Sequence, residues 1–556
     1  MAQLAWSPAD LKQTDQRHLP ATLEASHQLI GDLLQENRKL QARIEWLARK
    51  LFGRSSERLA QGELEFFGEP FAPPEKANVK ANENTVPGEP LENATAADGD
   101  SSPEPPAKPK RAARRSPLED LPRQVIVHDV AEADKVCACG REKTRIGQDD
   151  SEQIEFIPAA LYIIQHVRPK YACPKCHDGV VQASMPAMPI ERGAVGPGLL
   201  AHIITSKYAD HAPLYRQESI LARHGIHIPR SVTCEWTMKS AELLAAVAAG
   251  MKGEILRGRL INTDDTPIDV HTEQGNHQGR LWTYVGDGLH PYTIYDFTWD
   301  RSGEGPRKFL QGFQGTLQAD AFAGYDALFR PDPKRPEKIP LIEAGCMAHM
   351  RRKFYDARTE DPLVALPILR LIRELYQIER QAKEHWPALT LARPDPQELA
   401  QAEAGRLALR QEKSAPLMKT LEERLFQLKG QLLPKSGLGQ AAHYALAHWA
   451  ALKVYLQAGF VEIDNNAAER AIRPLCLGRR NWLHLGSRRG GRAAAVLFTL
   501  VQSARRHGID PFIYLRDLLT RIPTHPMSRL YELFPDNWLK LRQETDAPPS
   551  TGAAIH

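Results

Sequence analysis

The sequence has 556 residues, 42% of them hydrophobic, and a formal net charge of +4. That length predicts several domains with chain enough for a full-sized core, and the near balance of charge by itself says little about partners, so the local clusters of Lys and Arg that set the field a polyanion feels matter more. The longest apolar runs, such as AAVLFTLV from Ala494, fall far short of the roughly 20 residues that cross a bilayer, and the N-terminus has no basic stretch leading into an apolar one, so no membrane partner and a cytoplasmic location are expected.

Residues 1–67 hold the stretch ATLEASHQLIGDLLQENRKLQARIEWLARKLF. In it Leu23, Ile30, Asn37, Ile44 and Leu51 recur seven apart, with Leu33, Leu40 and Leu47 as a second seam. The repeat predicts a parallel coiled coil, and so a homodimer or higher oligomer, with Asn37 fixing register. An amphipathic helix docked on its own domain is the plainer alternative. From 68 to 121 the chain turns to Pro, Ala, Glu, Asn and Lys, which cannot bury a core and predicts a disordered basic linker. Its end, KPKRAARRSP, offers Lys110, Arg111, Arg114 and Arg115 to a phosphate backbone, or is a solvated tail.

Residues 122–190 carry two close cysteine pairs, Cys137 with Cys139 and Cys173 with Cys176. Seven cysteines are too few for a disulfide scaffold, and four thiolates suit a closed structural Zn2+ site. His177 is an alternative ligand, and reduced structural thiols are the plainer reading. Cys234, Cys346 and Cys476 read as buried. Residues 191–255 are mostly helical, and APLYRQESILARHG followed by IHIPRSVTCEWTMKSAELLAAV has helix-turn-helix spacing, with Gly225 and Pro229 in the turn.

In 256–359, RLINTDD, TPIDVHT, GRLWTYVGD and PYTIYDFTWD alternate as strands do. The helical GPRKFLQGF, the strand GTLQAD, the strand IPLIEAGCMAH and the helical MRRKFYDAR follow. Three antiparallel strands, then helix, strand, helix, strand and helix predict an α/β multidomain chain around a ribonuclease H-like core. Residues 360–460 read as a long helical insertion, 461–523 as the second part of the core, and 524–556 as a C-terminal tail.

That order puts Asp264 at the end of the first strand and Asp320 at the end of the fourth, side by side if the strands are parallel neighbours. Glu469 stands near the start of a later helix. Three carboxylates from separate elements suit hard divalent cations, two Mg2+ (or Mn2+) per active site, in phosphodiester chemistry. Each acid also has a plain reading: Asp320 as a helix cap, Asp264 beside a turn, and Glu469 in the capping-box spacing NAAE. Behind Glu469 come seven arginines with no further acid up to Arg492. Arg470, Arg473, Arg479 and Arg480 are candidates for DNA phosphates, Asn465 for orienting Glu469 or touching DNA, and Arg488, Arg489 and Arg492 are phosphate contacts or a solvated basic face. His349 faces the active site or serves as a core or capping residue.

The stretches FGRSSERL, RPKYACPKC, SKYADHAPLYRQESILARHG, DDTP, LQADAFAGYDAL, GCMAHMRRKFYDA, VEIDNNAAERAIRPLCLGRRNWLHLGS and IDPFIYLRDLLTRIP together resemble the insertion sequence 66 family of transposases, over about residues 51 to 523. The resemblance implies a ribonuclease H-like core with an Asp-Asp-Glu triad, carried here to Asp264, Asp320 and Glu469, and a helical insertion before the Glu. It also implies a zinc-binding module, partners in terminal inverted repeats and target DNA, accessory proteins from the same element, and a place on the nucleoid. The family shows Asp-Glu-Thr where this chain has Asp264, Asp265 and Thr266, and Trp where Met347 stands. Other readings are an inactive end-binding repressor and a structure-specific nuclease of the same fold.

Overall fold

A computed structural model describes residues 123–544, apart from 139, 158–159, 176–179, 192, 332–338 and 392. The heptad segment, the linker with Lys110, Arg111, Arg114 and Arg115, and the residues Cys139, Cys176 and His177 lie outside the described residues.

The first strands form a small sheet. β1 (Arg123–Val127) runs parallel to β3 (Ala160–Ala172), which pairs antiparallel with β2 (Thr144–Ile157) and with β4 (Val181–Gln182). Leu161, Ile163 and Val167 alternate along β3 into the buried face, the period of a half-buried strand. Three helices follow: α1 (Pro197–Tyr208), α2 (Leu214–Arg223) and α3 (Arg230–Ile255). Gly225, at φ +85°, takes the left-handed turn after α2. Thr233, Thr237, Ala241, Leu244, Val247 and Met251 line the buried side of α3 at helical spacing.

The central sheet is built from β5 (Leu260–Thr272), β6 (Gly275–Gly286), β7 (Thr293–Thr298), β8 (Thr316–Gln318) and β9 (Ile342–Ala344), with the short α4 (Glu304–Phe309) between β7 and β8. Its order is β7-β6-β5-β8-β9, antiparallel through the first three and parallel from β5 to β9, and β10 (His484–Leu485) adds to the far end of β5. The segments RLINTDD and TPIDVHT, expected as two strands, are one. Asp264 therefore stands inside β5 and not at its end. Pro267 does not break the strand because it falls between Asn262 and Asp269, where β5 has no partner on its second side.

After β9 come α5 (Met347–Asp356), α6 (Pro362–His385), α7 (Pro396–Leu409), α8 (Ala415–Lys429), α9 (Gly437–Ala447) and α10 (Trp449–Lys453), then α11 (Asn466–Trp482), α12 (Arg488–Arg506), α13 (Pro511–Arg521) and α14 (Pro535–Glu544). Two hydrophobic cores result. One joins the central sheet to α1, α3, α12 and α13, with Leu497, Phe498 and Val501 of α12 packed against it. The other centres on the inserted helices, around Phe354, Ile368, Ile372, Leu375, Leu421, Leu425 and Trp449, and reaches Leu260 of β5 and Ala344 of β9. Between α7 and α8 a π-turn over Arg410–Ser414 sends Arg410 into that second core. There both its outer nitrogens and its Nε are satisfied: two bonds of 2.7 Å to Glu379, and bonds to the carbonyls of Tyr455, Ala458 and Val461. A buried charge is tolerable only when paired and hydrogen-bonded in this way.

The segment expected as a tail packs down as far as it is described. Leu533, Phe534 and Trp538 are buried, and Tyr514 donates to the Leu533 carbonyl at 2.6 Å. Among the described residues no helix is long and apolar enough to cross a membrane.

Candidate active site

The parallel register brings the first two acids together. Leu260, Ile261 and Asn262 of β5 pair with Thr316, Leu317 and Gln318 of β8. Asp264 stands two residues beyond Asn262 and Asp320 two beyond Gln318, so both leave the paired region at the same level. Ala321, next to Asp320, has φ +65°, a left-handed conformation that costs a non-glycine residue about 1 kcal/mol or more. That turn carries the chain abruptly off the sheet at Asp320.

Buried amides hold the third acid in place. Asn262 Nδ2 donates to Gln318 Oε1 at 2.9 Å and to Asn465 Oδ1 at 3.1 Å, and Asn465 Nδ2 donates to the Thr263 carbonyl at 2.8 Å. Gln318 Nε2 donates in turn to the carbonyls of Gly345 and Glu462. Asn262, Gln318 and Asn465 are all buried. The start of α11 is thereby pinned across β5 and β8, and Glu469, in its first turn, faces the sheet edge where the two aspartates leave. Asn465 is 0% exposed, with Oδ1 and Nδ2 both hydrogen-bonded, which is the orienting one of its two expected roles. The capping box is not formed either: the Asn466 amide goes to Asp464 Oδ1 at 3.1 Å, while Glu469 Oε1 lies 3.7 Å from His349 Nδ1.

The electrostatics agree with this proximity. Burial pushes the Asp264 carboxyl up to about 7, with the negative charges of Asp320, Asp265 and Glu469 adding to the rise and a hydrogen bond from the Asp265 amide opposing it. Asp265 is ion-paired, its carboxylate held by Arg280 at 3.0 Å and Arg301 at 2.9 Å. The two neighbouring acids of β5 thus have different surroundings: Asp265 is paired with cations, whereas Asp264 meets other carboxylates. Glu469 keeps 40% of its side chain exposed, so the cluster is open on one side. A carboxyl raised by burial beside other carboxylates, at an edge open on one side, has the oxygen donors a hard cation prefers.

The arginines divide. Arg470, Arg473 and Arg480 are exposed on α11, with no hydrogen bond or ion pair recorded among the described residues. Arg479 is half-buried, its Nη1 donating to Thr266 Oγ1 at 3.1 Å and to the Pro267 carbonyl; it staples α11 to β5, a role the sequence did not signal. Arg489 bridges Glu235 and Glu242 of α3 at 2.8 and 2.6 Å, and Arg488 lies over the Trp299 ring at 4.9 Å.

The cysteine module has its two halves at one end of the small sheet. The Cys137 amide donates to Arg141, the Gly140 amide donates back to Cys137, and Gly140 sits at φ +78°, forming a tight knuckle. This knuckle leads into Thr144, which pairs with Ala172, the residue before the fully buried Cys173. Cys137 on the knuckle and Cys173 at the strand end supply thiols of the kind a structural zinc takes.

Comparison with known proteins agrees with these features. The family model described as "Transposase IS66 family" matches residues 192–493, "zinc-finger binding domain of transposase IS66" matches 134–177, "IS66 C-terminal element" matches 499–535, and "Transposase C of IS166 homeodomain" matches 39–126. The uncharacterized protein y4hP of Sinorhizobium fredii is 33% identical over 531 residues, covering 91% of this chain and 90% of that protein. The uncharacterized protein y4jD of the same organism is 34% identical over 432 residues, covering 75% and 80%. The class is that of the transposases, with a zinc-finger module ahead of the main domain. The chain belongs to the IS66 transposase family.

Proposed function

We propose that this chain is a metal-dependent DNA transposase of Asp-Asp-Glu type, binding the terminal inverted repeats of its element and joining their ends to target DNA. The central sheet, in the order β7-β6-β5-β8-β9, is its ribonuclease H-like core. The observation that supports the reading is the parallel register of β5 and β8, which lets Asp264 and Asp320 leave the sheet at the same level, with the start of α11, and so Glu469, anchored across the two strands by Asn465. These three would hold Mg2+ or Mn2+, whose bound ions supply activation of the attacking oxygen and charge stabilisation at the leaving one.

The chain's own residues do the rest. The amides of Asn262, Gln318 and Asn465 fix the acids relative to one another. Arg470, Arg473 and Arg480 meet phosphates flanking the scissile bond through their planar forks. In the first step water attacks phosphorus, the bond to the 3' oxygen breaks, and that oxygen takes up a proton. In the second the freed 3' hydroxyl attacks a target phosphodiester in line, forming one P–O bond as another breaks. Cys137, Cys139, Cys173 and Cys176 hold the structural zinc, and the N-terminal heptads pair protomers.

The test is incubation of purified protein with Mg2+, a labelled element end and a target plasmid. Nicked ends and joined product are expected, and Asp264→Asn, Asp320→Asn and Glu469→Gln should each bind ends without cutting them. Cutting of branched DNA with no joining would indicate a nuclease, and end binding with no cutting by the parent chain would indicate a repressor; either outcome overturns the reading.

A further inference from the structure

Three unlike donors meet where the N-termini of α5 and α11 approach. Cys346 caps α5, His349 stands three residues on and so on the same side of the helix, and Glu469 faces them from α11. Cys346 Sγ, a ring nitrogen of His349 and a carboxylate oxygen of Glu469 all lie within 4.8 Å of one another. Donors around a tetrahedral zinc stand roughly 3.3–3.8 Å apart, so side-chain shifts of about 1 Å close the triangle.

His349 supplies a second observation. Its Nδ1 is buried and has no hydrogen-bond partner, and its 3.7 Å separation from Glu469 Oε1 is too long for one. A buried ring nitrogen left unsatisfied between a thiol and a carboxylate calls for a ligand.

We propose that Cys346, His349 and Glu469 form a binding site for a thiophilic divalent cation such as Zn2+, separate from the aspartates but sharing Glu469 with them. Sulfur and imidazole donors favour such an ion over Mg2+, which takes oxygen. On coordination the Cys346 thiol gives its proton to solvent, while the Asn465 amide, 3.2 Å from the sulfur, stays as a donor to the thiolate. Occupancy draws Glu469 toward His349 and away from Asp264 and Asp320, so the soft ion opposes Mg2+. The site rests on the donor geometry alone; only this competition rests on the reading of Glu469 as a Mg2+ ligand.

The experiment uses full-length protein whose zinc-finger module is first filled with Zn2+, then titrated with Co2+, which reports a sulfur ligand through a thiolate-to-metal charge-transfer band. One further equivalent carrying that band is expected. In Cys346→Ser the band should vanish, and in His349→Gln affinity should fall by about tenfold or more, with circular dichroism checking the fold of each. If the Ser variant does not fold, His349→Gln, on a partly exposed side chain, decides. A wild-type band in Cys346→Ser, an unchanged affinity in His349→Gln, or no Co2+–thiolate signal beyond the zinc finger overturns the proposal. Excess Mg2+ should weaken the band; indifference to Mg2+ leaves the soft site standing and removes the shared Glu469.

Discussion

Asn465 and Thr263 lie 202 residues apart in sequence, yet the Asn465 side-chain amide donates to the Thr263 carbonyl at 2.8 Å in a fully buried position. Replacement by Ala leaves that carbonyl without a donor and takes an acceptor from Asn262. Asn465→Ala is expected to lose about 2–3 kcal/mol in urea unfolding, and to reduce cleavage while end binding persists. An unchanged urea midpoint would show that the amide bridge does not anchor α11.

Acid should undo a second anchor. Burial opposes ionisation of Glu462, but Arg406 at 2.6 Å and Lys383 at 2.7 Å outweigh it and hold the carboxyl down to about 2. A depressed carboxyl stabilises the fold above its unfolded value, and that stability is lost as pH falls from roughly 4.5 toward 2. Glu462→Gln should therefore flatten the acid limb of the stability curve and cost about 3 kcal/mol at neutral pH, since it leaves Arg406 buried beside a neutral partner. Thermal melts of both proteins from pH 7 down to pH 2.5 check this, and parallel curves would rule it out.

The exposed arginines differ from the stapling one. Arg470→Ala, Arg473→Ala and Arg480→Ala should each lower the slope of log affinity for DNA ends against log salt by about one, at little cost to folding. Arg479→Ala should instead destabilise the protein by about 1–2 kcal/mol through the lost bonds to Thr266 and Pro267. Equal salt slopes for all four variants would show that exposure on α11 does not mark phosphate contacts.

Metal analysis of the purified protein should find a tightly held zinc in the cysteine module. Cys137→Ser and Cys173→Ser should lose it, and the small sheet should become protease-sensitive while the central sheet stays protected, because the knuckle leads into the Thr144–Ala172 pair at the end of that sheet. Zinc retained in both variants would move the ligand set elsewhere.

The sequence made Asp264, Asp320 and Glu469 legible as candidates because strand alternation and specific local stretches located each one separately. It hid what unites them. Asn262 and Gln318 are polar residues in short strand segments, and such residues ordinarily read as outward-facing; only the pairing of β5 with β8 turns them inward, toward Asn465. Pro267 and the two adjacent aspartates read as a turn, which split one strand into two. Cys346 was expected to be buried and is, but nothing local announced that His349 and Glu469 would meet it, since that depends on how two helix ends approach. Arg479 looked like its neighbours on α11 until the fold gave it carbonyl and hydroxyl partners.

The inserted helices leave and rejoin the core at nearly one point, where the Met347 amide donates to the Ile463 carbonyl at 3.1 Å. Most of the described helices between those residues share one hydrophobic interior, pinned by Arg410, which also takes in Leu260 of β5 and Ala344 of β9. The excursion is thus drawn together at its neck, and one hydrogen bond there holds the chain entering it beside the chain leaving it, a few residues before Glu469.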